Sequence, residues 1–206
     1  MSNAIRTQPI KAKELSLVKL SDYLSSSKFV NALFLKVAWV ACVVGGNSYG
    51  LGVVFAMLCL NIYQRNIAAD WPYAVGLGLF GLLLDTAWMH FGVLDYASSA
   101  PLTIAGITLA PLWIVLLWVA VGLSLNHGLI FFVERPLIGG LLVGASAPFS
   151  YMAGERFGAV VIPSYENLVI LGLIWFVVYY GLFSLTNYVN GRGEAKDEVA
   201  PITQSA

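Results

Sequence analysis

Most ionisable side chains in this sequence lie in the ends and the short loops, and only a few sit inside its long apolar stretches. Ionisable residues at membrane depth are costly, so each is a functional candidate by default. Asp85 heads the first set, with Trp88 three residues on along the same helix face. At about 1.5 Å of rise per residue, Asp85 stands about 21 Å beyond Trp71, and Tyr151 about 22 Å beyond Pro136. Ser150 adjoins Tyr151. Asp85, Ser150 and Tyr151 can therefore meet in the outer half of a membrane if their helices are neighbours. A carboxyl beside two hydroxyls suits an acid/base group or a ligand for a polar head group. It suits equally a hydrogen-bonded acid that pins two helices. His90 completes this set one turn further out, rotated away from Asp85 and suited to the interface.

A second set lies lower. His127 stands eight residues before Arg135, and Lys36 eight residues after Lys28, which puts both about 12 Å above the inner edge. Ser124 and Asn126 belong to that layer. Trp113, Leu117, Ala120, Ser124 and His127 form one stripe that should face the bundle interior. The alternatives are a polar clamp at Asn126 and His127, and a Lys36 that snorkels to the inner interface.

Other chemistries have little support. The two histidines lie at different depths, with no second His or Cys at ligand spacing, so no metal is expected. No cofactor is expected either. Gly76-Leu-Gly-Leu-Phe-Gly81 matches a dinucleotide fingerprint letter for letter, but it lies inside an apolar span with no strand before it. It reads as close helix packing. Cys42 and Cys59 have neither metal nor redox spacing and read as small packing residues. The formal net charge is zero, which gives no reason to expect nucleic acid as a partner.

The elements that must position these groups are membrane helices. The chain is 59% hydrophobic and 11% charged over 206 residues, too apolar for a soluble domain. A spanning helix needs about 20 apolar residues. The expected fold is all-α, a polytopic bundle of six transmembrane helices. Candidate spans are 29–46, 49–63, 72–92, 111–133, 137–153 and 167–187. The first two are short and broken apart at Gly45-Gly46-Asn47. Gly140 and Gly144 form a small face suited to a neighbouring or partner helix. Residues 1–28 read as a basic cytoplasmic arm, with Leu17, Leu20 and Leu24 spaced for an interfacial helix. Residues 29–187 make the transmembrane domain, and 188–206 a disordered cytoplasmic tail.

Charge sets the direction of threading. With six spans, Arg6, Lys11, Lys13, Lys19, Lys28, Arg65, Arg135, Arg192 and Lys196 fall on one side, and Arg156 alone falls on the other. Positive charge stays inside, so both termini are expected in the cytoplasm of a bacterial inner membrane.

Leu83-Leu84-Asp85, Pro111-Leu112-Trp113, Leu125-Asn126-His127 and the stretch Pro148-Phe149-Ser150-Tyr151-Met152-Ala153-Gly154 together resemble a bacterial inner-membrane family, that of domain of unknown function 2878. Phe157-Gly158-Ala159-Val160 extends the likeness, which covers roughly residues 29–187. Lys36 departs from it, standing where an uncharged polar residue is expected, and the basic arm is an addition. The resemblance implies a multi-pass membrane protein associated with lipid modification, with membrane lipids as partners. The alternatives are a small-solute transporter and a structural or assembly subunit.

Overall fold

In the computed structural model, residues 27–64, 67–96, 102–104 and 106–199 are described, and side chains as far as residue 192. The expected basic arm falls almost wholly on residues 1–26, outside that set. Helix α1 runs Ser27–Tyr63 and α2 Ile67–His90. Two short strands follow, β1 Leu102–Ile104 and β2 Ile107–Leu109, paired antiparallel with Thr103 opposite Thr108. Then come α3 Leu112–Gly122, the single turn α4 Ile130–Val133, α5 Pro136–Arg156 and α6 Glu166–Val199. Four of these helices, α1, α2, α5 and α6, are long and apolar enough to cross a membrane.

Helix α1 is two limbs. Gly46 breaks it with φ 61° and ψ −145°, a conformation open to glycine and strained for other residues. In a straight helix, residues 42 and 50 would lie about 12 Å apart. Here a Cβ built on Gly50 would stand 3.6 Å from Cys42 Cα and 2.7 Å from its Sγ. The limbs therefore double back and touch near the bend, where Cys42 is buried as a packing residue. At the other end Asn31 and Asn61 both donate to the Leu123 carbonyl, at 3.0 and 3.4 Å.

The stretch expected as one helix over 111–133 is discontinuous. Helix α3 ends at Gly122, the backbone unwinds through Ser124-Leu125-Asn126-His127-Gly128, and helix resumes only for α4. Unwound backbone at membrane depth persists only where protein satisfies its polar groups. The two asparagines do this for Leu123, and Gly128 N–H donates to Asn31 Oδ1 at 3.2 Å. Glycines on either side let the segment sit against its neighbours. A Cβ on Gly122 would come 2.6 Å from Ala74 Cα, and one on Gly128 2.7 Å from Ala32 N.

The helices form two groups. Helices α1 and α2 both pack on α3, while α5 and α6 pack on each other. Gly140 and Gly144 face Phe176, Tyr180 and the Gly172 carbonyl of α6, close enough that an added Cβ on Gly144 would come within 2.8 Å. That small face packs on α6 within the chain. Of the fingerprint-like glycines, Gly78 and Gly81 pack on Val119 and Trp118 of α3, and Gly76 meets nothing. The tail expected to be disordered from 188 is helical to Val199. Ala, Glu and Lys are good helix formers, and α6 is already nucleated before them. At the outer end, the loops after α2 and α5 are joined by an Asp95–Val161 bridge, with N–H···O distances of 3.0 and 2.7 Å.

Candidate functional site

A cavity of about 460 Å³ lies between the two groups of helices. Its upper end holds Asp85, which is fully buried. The backbone explains how that carboxyl is held. Gly81, one turn below Asp85 on α2, leaves a space that the Trp118 ring fills. From there Trp118 Nε1 donates to Asp85 Oδ2 at 2.8 Å. The loop after α2 turns back and delivers Tyr96, whose hydroxyl donates to Asp85 Oδ1 at 2.6 Å. Tyr96 lies beside Tyr151, which in turn accepts from Trp175 Nε1 at 3.1 Å. Trp118 stands 5.2 Å from Trp175 and is stacked at 6.2 Å on Tyr179, centroid to centroid. The carboxylate is thereby set in a wall of aromatic rings.

Below this wall the lining is mostly aliphatic and aromatic. Leu35, Lys36, Trp39 and Val43 of α1 form one side, and Leu142, Val143, Ser146 and Ala147 of α5 the other. Among the described residues these two helices touch little if at all. Lys36, Leu142 and Ser146 are exposed while also lining the cavity. The cavity therefore opens sideways, between α1 and α5, onto the apolar flank of the bundle. Above, Tyr96, Ala159 and Val160 are buried and close it under the joined outer loops.

The second polar site is at the other end of α2. Asp70, in the first turn of α2, is fully buried. Its carboxylate accepts from Asn61 Nδ2 at 2.8 Å, Asn126 Nδ2 at 2.9 Å and His127 Nε2 at 2.6 Å. His127 is the donor in this contact in the tautomer that carries its proton on Nε2. Asn190 of α6 donates to Asn126 Oδ1 at 3.2 Å. Both limbs of α1, the start of α2, the unwound segment and α6 thus meet around one acid.

The expected residues fall as follows. Asp85, Ser150 and Tyr151 line one cavity. Trp88 is buried but does not line it, and its indole N–H has no partner among the described residues. His90 is exposed, with Nδ1 2.9 Å from the Thr86 carbonyl one turn back, so it takes no part in the outer site. Asn126 and His127 share Asp70, while buried Ser124 is spent on the Ala120 carbonyl at 2.8 Å. Lys36 leaves that layer, because its helix turns it toward the cavity mouth. Asp70 and Tyr96 were not expected. Asp70 precedes Trp71 and Pro72 and reads as an ordinary acid at a helix start. Tyr96 lies in a loop, and nothing local shows that the loop turns inward.

The arrangement defines a helical protein with apolar membrane-length helices and two buried acid sites, one of them open to a lateral cavity. Residues 28–180 match the family described as "Protein of unknown function (DUF2878)", and the chain belongs to that family. No curated protein and no solved structure matches it.

Proposed function

We propose that this chain crosses a bacterial inner membrane six times, with both termini in the cytoplasm, and takes a membrane lipid into its lateral cavity. The six passes are the two limbs of α1, then α2, the interrupted α3–α4 segment, α5 and α6. This count keeps nine basic residues on the cytoplasmic side and one outside. Reporter fusions test it. Those at Ala97 and Pro163 should be active outside the membrane, and one at Ala206 should fluoresce inside. A reversed signal at any of the three overturns the count.

The observation that carries the lipid reading is the side opening. A pocket reached from water would open at an end of the bundle, whereas this one is roofed by Tyr96, Ala159 and Val160, and its exposed lining residues, Lys36, Leu142 and Ser146, stand between α1 and α5 on the flank that a bilayer would cover. Its volume falls in the range of about 300–1,000 Å³ usual for small-molecule sites. Apart from Lys36 and Ser146 at the mouth, its polar groups gather near Asp85, as suits a molecule with one polar end held inside. Ser146→Trp tests this, since Ser146 lies on the rim, where a large side chain can block entry without repacking the core. Purified in mild detergent and extracted for mass spectrometry, the wild type should retain a bound lipid. The variant should lose about tenfold or more with an unchanged unfolding midpoint. Equal lipid in both overturns the reading.

A transporter reading draws on one observation, the break in α3, since interrupted helices mark substrate sites in many transporters. Among the described residues the groups at that break are paired closely around Asp70. This favours a structural junction there.

A further inference from the structure

The lining of the upper cavity says what the polar end of a ligand should be. Asp85 is fully buried, and both contacts to its carboxylate are donated by neutral groups, Tyr96 and Trp118. A carboxylate offers about four lone-pair positions, so two stay open among the described residues. Among the described residues the ion pairs are His127–Asp70 and Arg135–Glu134, and neither involves Asp85. Lys36 shares the cavity but lies far below. It stands five residues above Asn31, which belongs to the inner layer with Asp70, and so about 7.5 Å higher. Asp85 stands fifteen residues above Asp70, about 22 Å higher. A gap of roughly 15 Å in depth leaves Asp85 without a counter-charge from Lys36. An uncompensated charge at membrane depth is among the most expensive features a bundle can carry.

The surroundings match that missing charge. Trp118, Trp175 and Tyr179 pack within 5.2 to 6.2 Å of one another beside the acid, and all three line the cavity. Aromatic faces attract cations, and clustered rings are the usual receptor for quaternary ammonium groups. A metal ion is a poor occupant, because no group of three His, Cys, Asp or Glu side chains able to hold one gathers among the described residues.

We propose that the cavity takes an amphiphile with a cationic amine or quaternary ammonium head, seated between Asp85 and the faces of Trp118, Trp175 and Tyr179, with its apolar chain running down toward the opening between α1 and α5. This rests on the lipid-cavity reading and names its head group. The same cationic chemistry also occurs in small soluble ammonium compounds, so the test separates head from tail.

The full chain in nanodiscs of neutral lipid is titrated with four probes, and quenching of tryptophan fluorescence is followed. The probes are octyltrimethylammonium, its uncharged carbon isostere with a tert-butyl end, octyl sulfonate, and tetramethylammonium. The first should bind at least tenfold more tightly than the second and third, and also more tightly than the tailless cation. Asp85→Asn should abolish the preference for the cation over its isostere, and Tyr179→Leu should weaken cation binding severalfold. Equal binding of cation and isostere by the wild type overturns the head-group inference and leaves the apolar cavity standing. Equal binding of tetramethylammonium overturns the amphiphile and assigns the site to a small soluble cation. No binding by any probe overturns both readings. The wild-type comparison decides even if a variant fails to fold.

Discussion

Asp70→Leu should yield almost no folded protein from detergent-solubilised membranes. The substitution removes one acceptor and strands three donors, on Asn61, Asn126 and His127. Two of the three, Asn126 and His127, lie where no helix orders the chain, because the backbone from Ser124 to Gly128 is unwound. Leaving a buried donor unsatisfied costs roughly 1–3 kcal/mol. Three of them approach the whole stability of a domain, about 5–15 kcal/mol. The damage also spreads, since Asn126 ties in α6 through Asn190, and Asn61 helps hold the Leu123 carbonyl. Asp70→Asn keeps one acceptor oxygen but turns an amide toward groups that already donate, so an intermediate loss is expected. Size-exclusion profiles of fluorescent fusions and unfolding midpoints measure both. A Leu variant within about 1 kcal/mol of the wild type would show that the cluster is dispensable.

That junction marks the limit of what the sequence discloses. The apolar stretches are plain because every helix carries its own hydropathy, and the break at Gly46 is plain because two glycines and an asparagine interrupt one of them. Depth is legible too, since helix rise is fixed, and it places Asp85 level with Ser150 and Tyr151, residues that line the same cavity. Partners are a different matter. They depend on how helices rotate and on loops that re-enter. The stripe Trp113–Leu117–Ala120–Ser124–His127 assumes an unbroken helix buried on one face. Yet α3 is central and buried on its other sides as well, at Ile114 and Leu116 on the flanks and at Trp118 nearly opposite the stripe. The residue that grips Asp85 is therefore on the face that a single stripe excludes. Lys36 misleads for a related reason, because equal height does not mean equal direction. Asp70 is hidden by its ordinary setting. An acid in a first turn needs no partner, and only the fold shows three donors converging on it.

Asp85→Leu should have the opposite outcome to Asp70→Leu, with the protein inserted and folded but its ligand lost. Two terms compete in its stability. Tyr96 and Trp118 each lose an acceptor, at roughly 1–3 kcal/mol apiece. Against this, a carboxylate without a counter-charge is removed, which is worth about 2.5–3.5 kcal/mol on insertion scales. The donors also have somewhere to turn, because they border an open cavity and Tyr96 already lies beside Tyr151. The terms largely offset, so the unfolding midpoint should move by an amount between about 1.5 kcal/mol of gain and about 3.5 kcal/mol of loss. Binding has no such compensation. Leucine keeps the space filled and the apolar chain accommodated, but the group that faces the cationic head is gone. Affinity for octyltrimethylammonium should fall at least tenfold, to the level of its uncharged isostere. Collapse of the fold in Asp85→Leu would make this acid a brace like Asp70. Retained selectivity for the cation would move the recognising group away from Asp85 and onto the rings alone.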